Sequence, residues 1–497
     1  MRPSRGSGAH SRLPTEAPPA FYQSPGRLAA LLLCSIAILL ASGWLGGRRA
    51  HQEEALAATD LREMAPPGPQ ERILIFAPHP DDEVLGCAGL IQQALSRGAH
   101  VHVVLMTNGD GSELSLIFGE RELSRKPRAF IDLGRSRQQE TISALASLGL
   151  PADRIRFLGY PNNGLVALWR PDHWLPSSPY RSPYTRADSS PYQLAFTPDA
   201  SYTGQQLLSD VIAVIEQVQP TSIYAPHPQD IHPDHWATSA FVSYGLATLG
   251  ARDPAPWLQQ TKLYGYLVHW PRFPSPRRLK PQLPLRPPSD IVVPRGAWLQ
   301  LPLSAEQTRR KLAAVKLYRS QLPSLDRLLL DFVRANELFA ALAPRTVQPK
   351  DAILWVDEDS RRRNLHGSDI TELVLDFSPG SPVSAELSRT PRKLGKGAYI
   401  SLDLRWWDSR GQPAIANVSI PRGGTPRALS LFGGELRTLD VSTRELGPGR
   451  LAIAGIAPPP NPHHGRGWFV TCWGSVRDRV TDPGVVARIV SQPSVPD

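Results

Sequence analysis

Between Glu71 and Val268 the apolar positions switch repeatedly between two patterns. Apolar-rich runs at Ile73–Ala77, Val101–Met106, Ile155–Leu158, Ile223–Ala225 and Lys262–Val268 predict buried strands. Between them, apolar residues recur at helical spacing over Val84–Ser96, Ser136–Leu148, Gln205–Val218 and His235–Leu249. Strands interleaved with helices imply an α/β domain whose mostly parallel sheet is covered on both faces. Right-handed crossovers then bring the carboxyl ends of its strands to one edge. Residues 108–135 and 160–203 are long insertions at that edge and are expected to shape a substrate site. Residues 305–342 look helical, with Leu312, Val315, Leu322, Leu325 and Leu328 among the apolar positions.

After about residue 350 the pattern changes. Short β-prone runs at Val374–Phe377, Tyr399–Trp406, Ala416–Ile420, Ala428–Leu431, Leu451–Ile456 and Trp468–Cys472 are separated by Gly, Pro and polar turns. This spacing predicts a smaller all-β, sandwich-like domain. Leu402, Leu404 and Trp406 alternate with Asp403 and Arg405, as in a half-buried strand. Trp406, Trp407, Trp468 and Trp473 are read first as core, with a sugar-binding face as the alternative.

At the other end, Leu28–Leu45 is an uncharged apolar run of 18 residues flanked by Arg27, Arg48 and Arg49. It is at the short end for a membrane-spanning helix and long for a signal-peptide core. The expected organisation is a basic cytoplasmic tail (1–27), a transmembrane signal anchor (28–47), a linker (48–70), an α/β domain (71–345) and the β-rich domain (350–497). The body of the protein would then lie outside the cytoplasmic membrane. Cleavage near Ala55-Leu-Ala57, with secretion, is the alternative.

Composition changes this picture little. The 51 prolines cluster at 14–25, 171–198, 254–302 and 456–462, which marks loops or linkers. The formal charge of +10 is spread along the chain without a basic block, so no nucleic-acid partner is expected. Cys34, Cys87 and Cys472 form no disulfide framework or Cys-rich metal site.

The chemistry concentrates at two strand ends. After Ile73–Ala77 comes Pro78-His79-Pro80-Asp81-Asp82-Glu83, and after Ile223–Ala225 comes the cluster His227 to His235. His79 and Asp82, three residues apart at a strand-to-helix junction, are suitable ligands for Zn²⁺ or a similar ion. If the two strands are neighbours, one His of the second cluster completes three protein ligands with an open position. Asp81 and a remaining His are then available as base and acid. Taken alone, the acids at 81–83 would be ordinary helix-start carboxylates. Two His-Pro-Asp clusters, each after a strand, favour the metal reading.

Pro-His-Pro-Asp-Asp-Glu at 78–83 together with His-Pro-Asp-His at 232–235 resembles the PIG-L (LmbE-like) family of metal-dependent de-N-acetylases. Thr107-Asn-Gly-Asp110, Arg137-x-x-Glu140, Phe157-Leu-Gly-Tyr-Pro161 and Lys311 through Gln321 extend the likeness over roughly 72–342. The resemblance implies a Rossmann-like fold and hydrolysis of an N-acetyl group, usually on glucosamine. It implies zinc at His79, Asp82 and His235, with Fe²⁺ as another ion such a site accepts. It further implies Asp81 as general base and His232 as the group that polarises or protonates the tetrahedral intermediate. Asp234 is expected either to orient a ligating His or to sit at the surface. Arg137 with Glu140 is expected to contact substrate or to form a helix-surface pair. Asn162 stands where members often carry Asp, near the expected sugar pocket; Asp110 ends one of the matching motifs and is expected to support a ligand or to contact substrate.

The resulting expectation is a membrane-anchored zinc N-deacetylase acting on a glycolipid or surface polysaccharide. Its rivals are a non-catalytic glycan-binding protein using the Trp-rich tail, and an amidase acting on an acylated lipid or antibiotic-like amide.

Overall fold

The computed structural model describes residues 61–489 apart from 120–125, 253–254, 289–290, 292–296, 343–352, 357–369, 377–381, 390–397, 408–412, 422–425, 433, 458–467 and 477–478. The Leu28–Leu45 run and the expected anchor lie outside these residues. Among the described residues no helix is long and apolar enough to cross a membrane.

The α/β region carries strands β1 (Arg62–Glu63), β2 (Arg72–Ala77), β3 (His100–Thr107), β4 (Ile155–Tyr160), β5 (Ser222–Pro226), β6 (Lys262–Tyr266), β7 (Trp298–Pro302) and β8 (Asn336–Ala341). Its helices are α1 (Asp82–Ser96), α2 (Pro127–Ser147), α3 (Leu165–Trp169), α4 (Gly204–Val218), α5 (Pro233–Arg252), α6 (Pro256–Gln260), α7 (Ala305–Val315) and α8 (Leu322–Asp331). One sheet runs in the order β1-β7-β8-β6-β5-β2-β3-β4. β6, β5, β2, β3 and β4 pair in parallel, whereas β8 is antiparallel to both β6 and β7.

The continuous apolar run of β2 follows from burial on both faces. Ile73, Ile75 and Ala77 enter one core with residues of α1, α2 and α7, while Leu74 and Phe76 enter the other with α3, α4 and α5. The chain goes from β2 to β3 and β4 on one side, then returns to β5 on the other side of β2. The carboxyl ends of β2 and β5 therefore flank a topological switch point, where open α/β sheets place a crevice.

Three expectations for this region need correcting. The apparently helical stretch 305–342 is α7, α8 and then strand β8. Its end is extended because it pairs with both β6 and β7, and from there the Glu337 carboxylate accepts the amide N–H groups of Gly89 and Leu90 in α1, at 2.8 and 2.9 Å. Lys311 of α7 completes this buried knot, donating to Glu337 at 2.8 Å and to the Leu85 carbonyl at 2.7 Å. The Pro-rich interval 254–302, read as loop, also yields α6 and β7 besides β6. Residues 62–63, within the expected linker, pair with β7 as β1.

The β-rich region contains β9 (Ile353–Val356), β10 (Ile370–Asp376), β11 (Val383–Arg389), β12 (Ala398–Trp407), β13 (Pro413–Pro421), β14 (Arg427–Phe432), β15 (Glu435–Thr438), β16 (Ser442–Gly447), β17 (Arg450–Ala457), β18 (Trp468–Val476) and β19 (Arg479–Ile489). They form two antiparallel sheets, β16-β17-β11-β10-β9 and β15-β14-β13-β12-β18-β19. Leu373, Leu375 and Leu387 of the first pack with Ile400, Leu402 and Leu404 of the second in one core, the arrangement of a sandwich.

β12 is not the half-buried strand that its alternation suggests. Asp403 and Arg405 are fully buried, because the α/β region covers that face. Trp407 and Trp473 share a core with α3 and α5, and Trp473 lies 4.5 Å from Trp236 by ring centroid. They are packing residues, so they cannot form a sugar-binding face. Trp406 and Trp468 pair with each other at 5.1 Å.

Candidate active site

The turn between β2 and α1 enters the helix through an unusual backbone. Asp81 has φ 125°, a left-handed value that a side-chain-bearing residue rarely adopts. Such backbone strain persists only where surroundings hold it, and it clusters at functional sites. Here Arg137 of α2 does the holding. It is buried and donates to the Gly109 carbonyl at 2.9 Å and the Pro80 carbonyl at 2.6 Å, and its Nη2 lies 3.4 Å from Asp81 Oδ2. Arg137 thus grips the turn from below and forms no surface pair with Glu140. Glu140 instead accepts from the Ser320 N–H and hydroxyl, both at 2.7 Å.

β2 and β5 are direct neighbours, so the two His-Pro-Asp clusters meet. Asp82 Oδ2 lies 3.1 Å from His79 Nδ1 and 3.1 Å from His235 Nε2. The expected triad therefore converges on a single carboxylate oxygen. His232 adds its ring 4.7 Å from that of His79 and 5.1 Å from that of His235. Its Nδ1 accepts the Asp234 N–H at 3.2 Å.

Asp234 faces the site. Its Oδ2 lies 3.2 Å from His79 Nε2, and its carboxylate accepts the N–H groups of Asn163 at 2.6 Å and Leu165 at 3.1 Å. The loop entering α3 is thereby tied to His79. Asp110 accepts the Tyr192 hydroxyl at 2.6 Å and the Asn162 N–H at 3.3 Å, which ties it to the 160–203 insertion that carries Asn162.

Two residues of the site were not singled out from the sequence. Asp230 Oδ2 lies 3.2 Å from His235 Nδ1 and accepts the N–H groups of Val268 and His269 at 3.1 and 2.9 Å. His269 itself, just past β6, brings its ring 4.6 Å from His235. Asp230 sits inside the quoted cluster 227–235, and His269 obeys the same strand-end rule as His79. Those signals were available. His227 of the same cluster turns away and stacks on Trp298 at 5.4 Å.

The electrostatics of the site are lopsided. Asp81, Asp82, Asp230 and Asp234 are all buried within this cluster, and Arg137 is the permanent cation touching it. Burial alone would lower His235, but Asp230 and Asp82 outweigh it and raise it to about 10. Burial alone would raise Asp82, but His235 and His79 hold it well below the usual carboxylate range. Burial and then the Asp82 charge push Asp81 up to about 8, against the pull of Arg137. Burial and the surrounding imidazoles keep His232 well below its ordinary value.

A divalent cation fits this donor set. Both ring nitrogens of fully buried His235 lie beside carboxylates without a well-aligned hydrogen bond, an arrangement that is costly unless another partner engages them. Among the described residues, two groups have ligand atoms within 4.8 Å of one another: His79, His232 and His235, and Asp82, His235 and His269. They share His235. Imidazole and carboxylate donors suit Zn²⁺ and related ions.

Residues 74–244 match the family described as GlcNAc-PI de-N-acetylase, PIG-L. The chain is 30% identical over 178 residues to a 1D-myo-inositol 2-acetamido-2-deoxy-alpha-D-glucopyranoside deacetylase of Mycolicibacterium smegmatis, covering 35% of this chain and 53% of that one. It is 30% identical over 205 residues to the protein of the same description from Rhodococcus opacus, covering 39% and 61%. The chain thus spans between about half and three fifths of the length of these curated relatives. Among solved structures, N,N'-diacetylchitobiose deacetylase from Pyrococcus horikoshii is similar at 17% identity and TM-score 0.34, over 55% of this chain and 84% of that one. The conserved protein TT1542 from Thermus thermophilus is similar at 20% identity and TM-score 0.32, over 56% and 97%.

Proposed function

Because residues 74–244 are a PIG-L family domain, we propose that this protein is a metal-dependent hydrolase removing the N-acetyl group from an N-acetylglucosamine-type sugar. The observation that carries the proposal is the meeting of His79, Asp82 and His235 at one point from two separate strand ends. These three are the proposed ligands, with zinc as the proposed ion and His269 next to them.

An amide is a poor electrophile, and a bound divalent ion supplies the carbonyl polarisation and the acidified water that its hydrolysis needs. Asp81 is the proposed general base. It adjoins the proposed ligand Asp82 and lies against Arg137, where a carboxylate can take a proton from water and later deliver it to the departing amine. Arg137 fixes its orientation through the Pro80 and Gly109 carbonyls. His232, with its ring against His79, is the proposed donor to the oxyanion that develops on the carbonyl oxygen. Asp230 and Asp234 hold His235 and His79 in register.

The substrate class follows the amino-sugar names of the matched relatives. The apolar run 28–45 supports a membrane anchor with this domain outside the cytoplasmic membrane, and hence a glycolipid or surface glycan as substrate. The experiment is bound-metal quantification together with acetate release from N-acetylglucosamine glycans and glycolipids, for the protein, Asp81→Ala and His235→Ala. Stoichiometric metal that is lost in His235→Ala, with acetate release abolished in both variants, is the expected result. A folded protein that takes up no metal would overturn the reading.

A further inference from the structure

We propose that the Pro-rich loop after His269 is an anion-binding wall of the substrate site, so that the deacetylated sugar carries a negatively charged neighbour. This rests on the deacetylase reading above. Residues 254–289 contain Lys262, Arg272, Arg277, Arg278, Lys280 and Arg286 and no Asp or Glu. The segment starts beside the site, since β6 leads directly into His269 and its ring contact with His235.

Immediately beyond, a groove of about 180 Å³ runs along His269. Ile231, Phe273 and Leu328 give it an apolar side, and the exposed Arg272 and Arg277 line it as well. The loop that presents these arginines is anchored. Buried Arg334 donates to the Asp331 carbonyl at 2.7 Å and to the Pro276 carbonyl, and Asp331 accepts the Arg278 N–H. Arg272 and Arg278 both hold left-handed backbone, at φ 65° and 76°, which the anchoring keeps in place.

Asp331 also pairs with Arg277, its oxygen 3.3 Å from Nη1, but this engages one donor of a side chain that stays 54% exposed. A guanidinium offers five donors in a fork that matches carboxylate and phosphate. Two such groups on a fixed loop, beside an apolar wall that focuses their field, attract an anion to the mouth of the site. A uronate carboxylate and a phosphodiester share this chemistry.

The test uses the full chain loaded with metal and three probes: a neutral N-acetylglucosamine disaccharide, the same sugar linked to a uronic acid, and the sugar as a phosphodiester. Binding is measured by calorimetry and turnover by acetate release. At low salt at least one anionic probe should bind about tenfold more tightly than the neutral one. The advantage should shrink as salt screens it, fall to near one in Arg272→Gln/Arg277→Gln, and return in part in Arg272→Lys/Arg277→Lys. Which anionic probe gains identifies the source of the charge. Equal binding of all three probes, or an anionic advantage that survives the double Gln variant, would overturn the proposal. If no probe releases acetate while the charge preference and its loss in the variant persist, the deacetylase reading fails and the anion wall stands.

Discussion

Two of the buried charge clusters among the described residues are built on opposite principles. At the strand ends, four aspartates gather around His79 and His235 with Arg137 as their permanent counter-ion. At the contact between the α/β and β-rich regions, Asp403 and Arg405 lie 3.9 Å apart and fully buried. There the charges balance, and the guanidinium also sits 3.6 Å over the Trp169 ring and 4.4 Å over that of Trp174. It donates to the Trp169 carbonyl as well. The second cluster sets one cation against one anion and aromatic faces. The first sets four aspartates against one permanent cation, so its balance depends on protonated imidazoles or on a cation that joins it. Burying charge is expensive in both places, so the imbalance, rather than the burial, distinguishes a site from a strut.

Asp82 is the residue whose loss should separate the two clusters most sharply. Asp82→Ala removes the oxygen shared by both histidines and should abolish bound metal and lower kcat/KM by at least ~10³-fold, as in losses of essential catalytic groups. Metal analysis and acetate release check this. If metal content stays stoichiometric, the cluster is not a metal centre. Arg405→Ala should do the reverse. Leaving Asp403 buried without its partner should cost ~3–5 kcal/mol of stability, seen as a lower Tm, with stoichiometric metal retained below the transition. Replacing both residues, as Asp403→Leu/Arg405→Met, should recover most of that loss.

A smaller effect is expected at Asp230, which touches His235 but is not a proposed ligand. Asp230→Ala should weaken metal affinity roughly 10–100-fold, measured by competition with a chelator, and leave the fold intact. The smallest effect concerns pH. Burial raises Asp403 to about 7, despite the opposing charge of Arg405. A carboxyl raised in the folded state contributes most below its ordinary value and loses that contribution as pH rises through the folded one. The Tm difference between wild type and Asp403→Asn should therefore shift against wild type from about pH 4 to about pH 7 and level off above. A difference independent of pH would mean that Asp403 stays ionised throughout.

The two regions were also unequally legible in the sequence. Strand β2, the turn at 78–83 and helix α1 follow from local patterns, and so does the second cluster before α5. Each part is specified within some ten residues, by apolar periodicity and by the type of residue at a strand end. That was enough to nominate His79, Asp81 and Asp82 with one His of the second cluster before any pairing of strands was known; the choice of His235 as ligand and His232 as acid came from the family resemblance. The helical reading of 336–341 failed because that stretch pairs with β6 and β7, partners no periodicity reveals. Arg137 was read as a substrate contact or surface pair for the same reason, since its acceptors are carbonyls on two other loops.

What the chain alone determined, then, is which segments are strands and helices and which turns carry chemistry, because these depend on neighbours close in sequence. Only the tertiary structure decided that β2 lies beside β5, that Asp230 and His269 join the site, and that the polar face of β12 is covered. Each of those outcomes depends on a contact between residues far apart in the chain. A buried Asp or Arg looks the same in sequence as an exposed one until its distant partner is known.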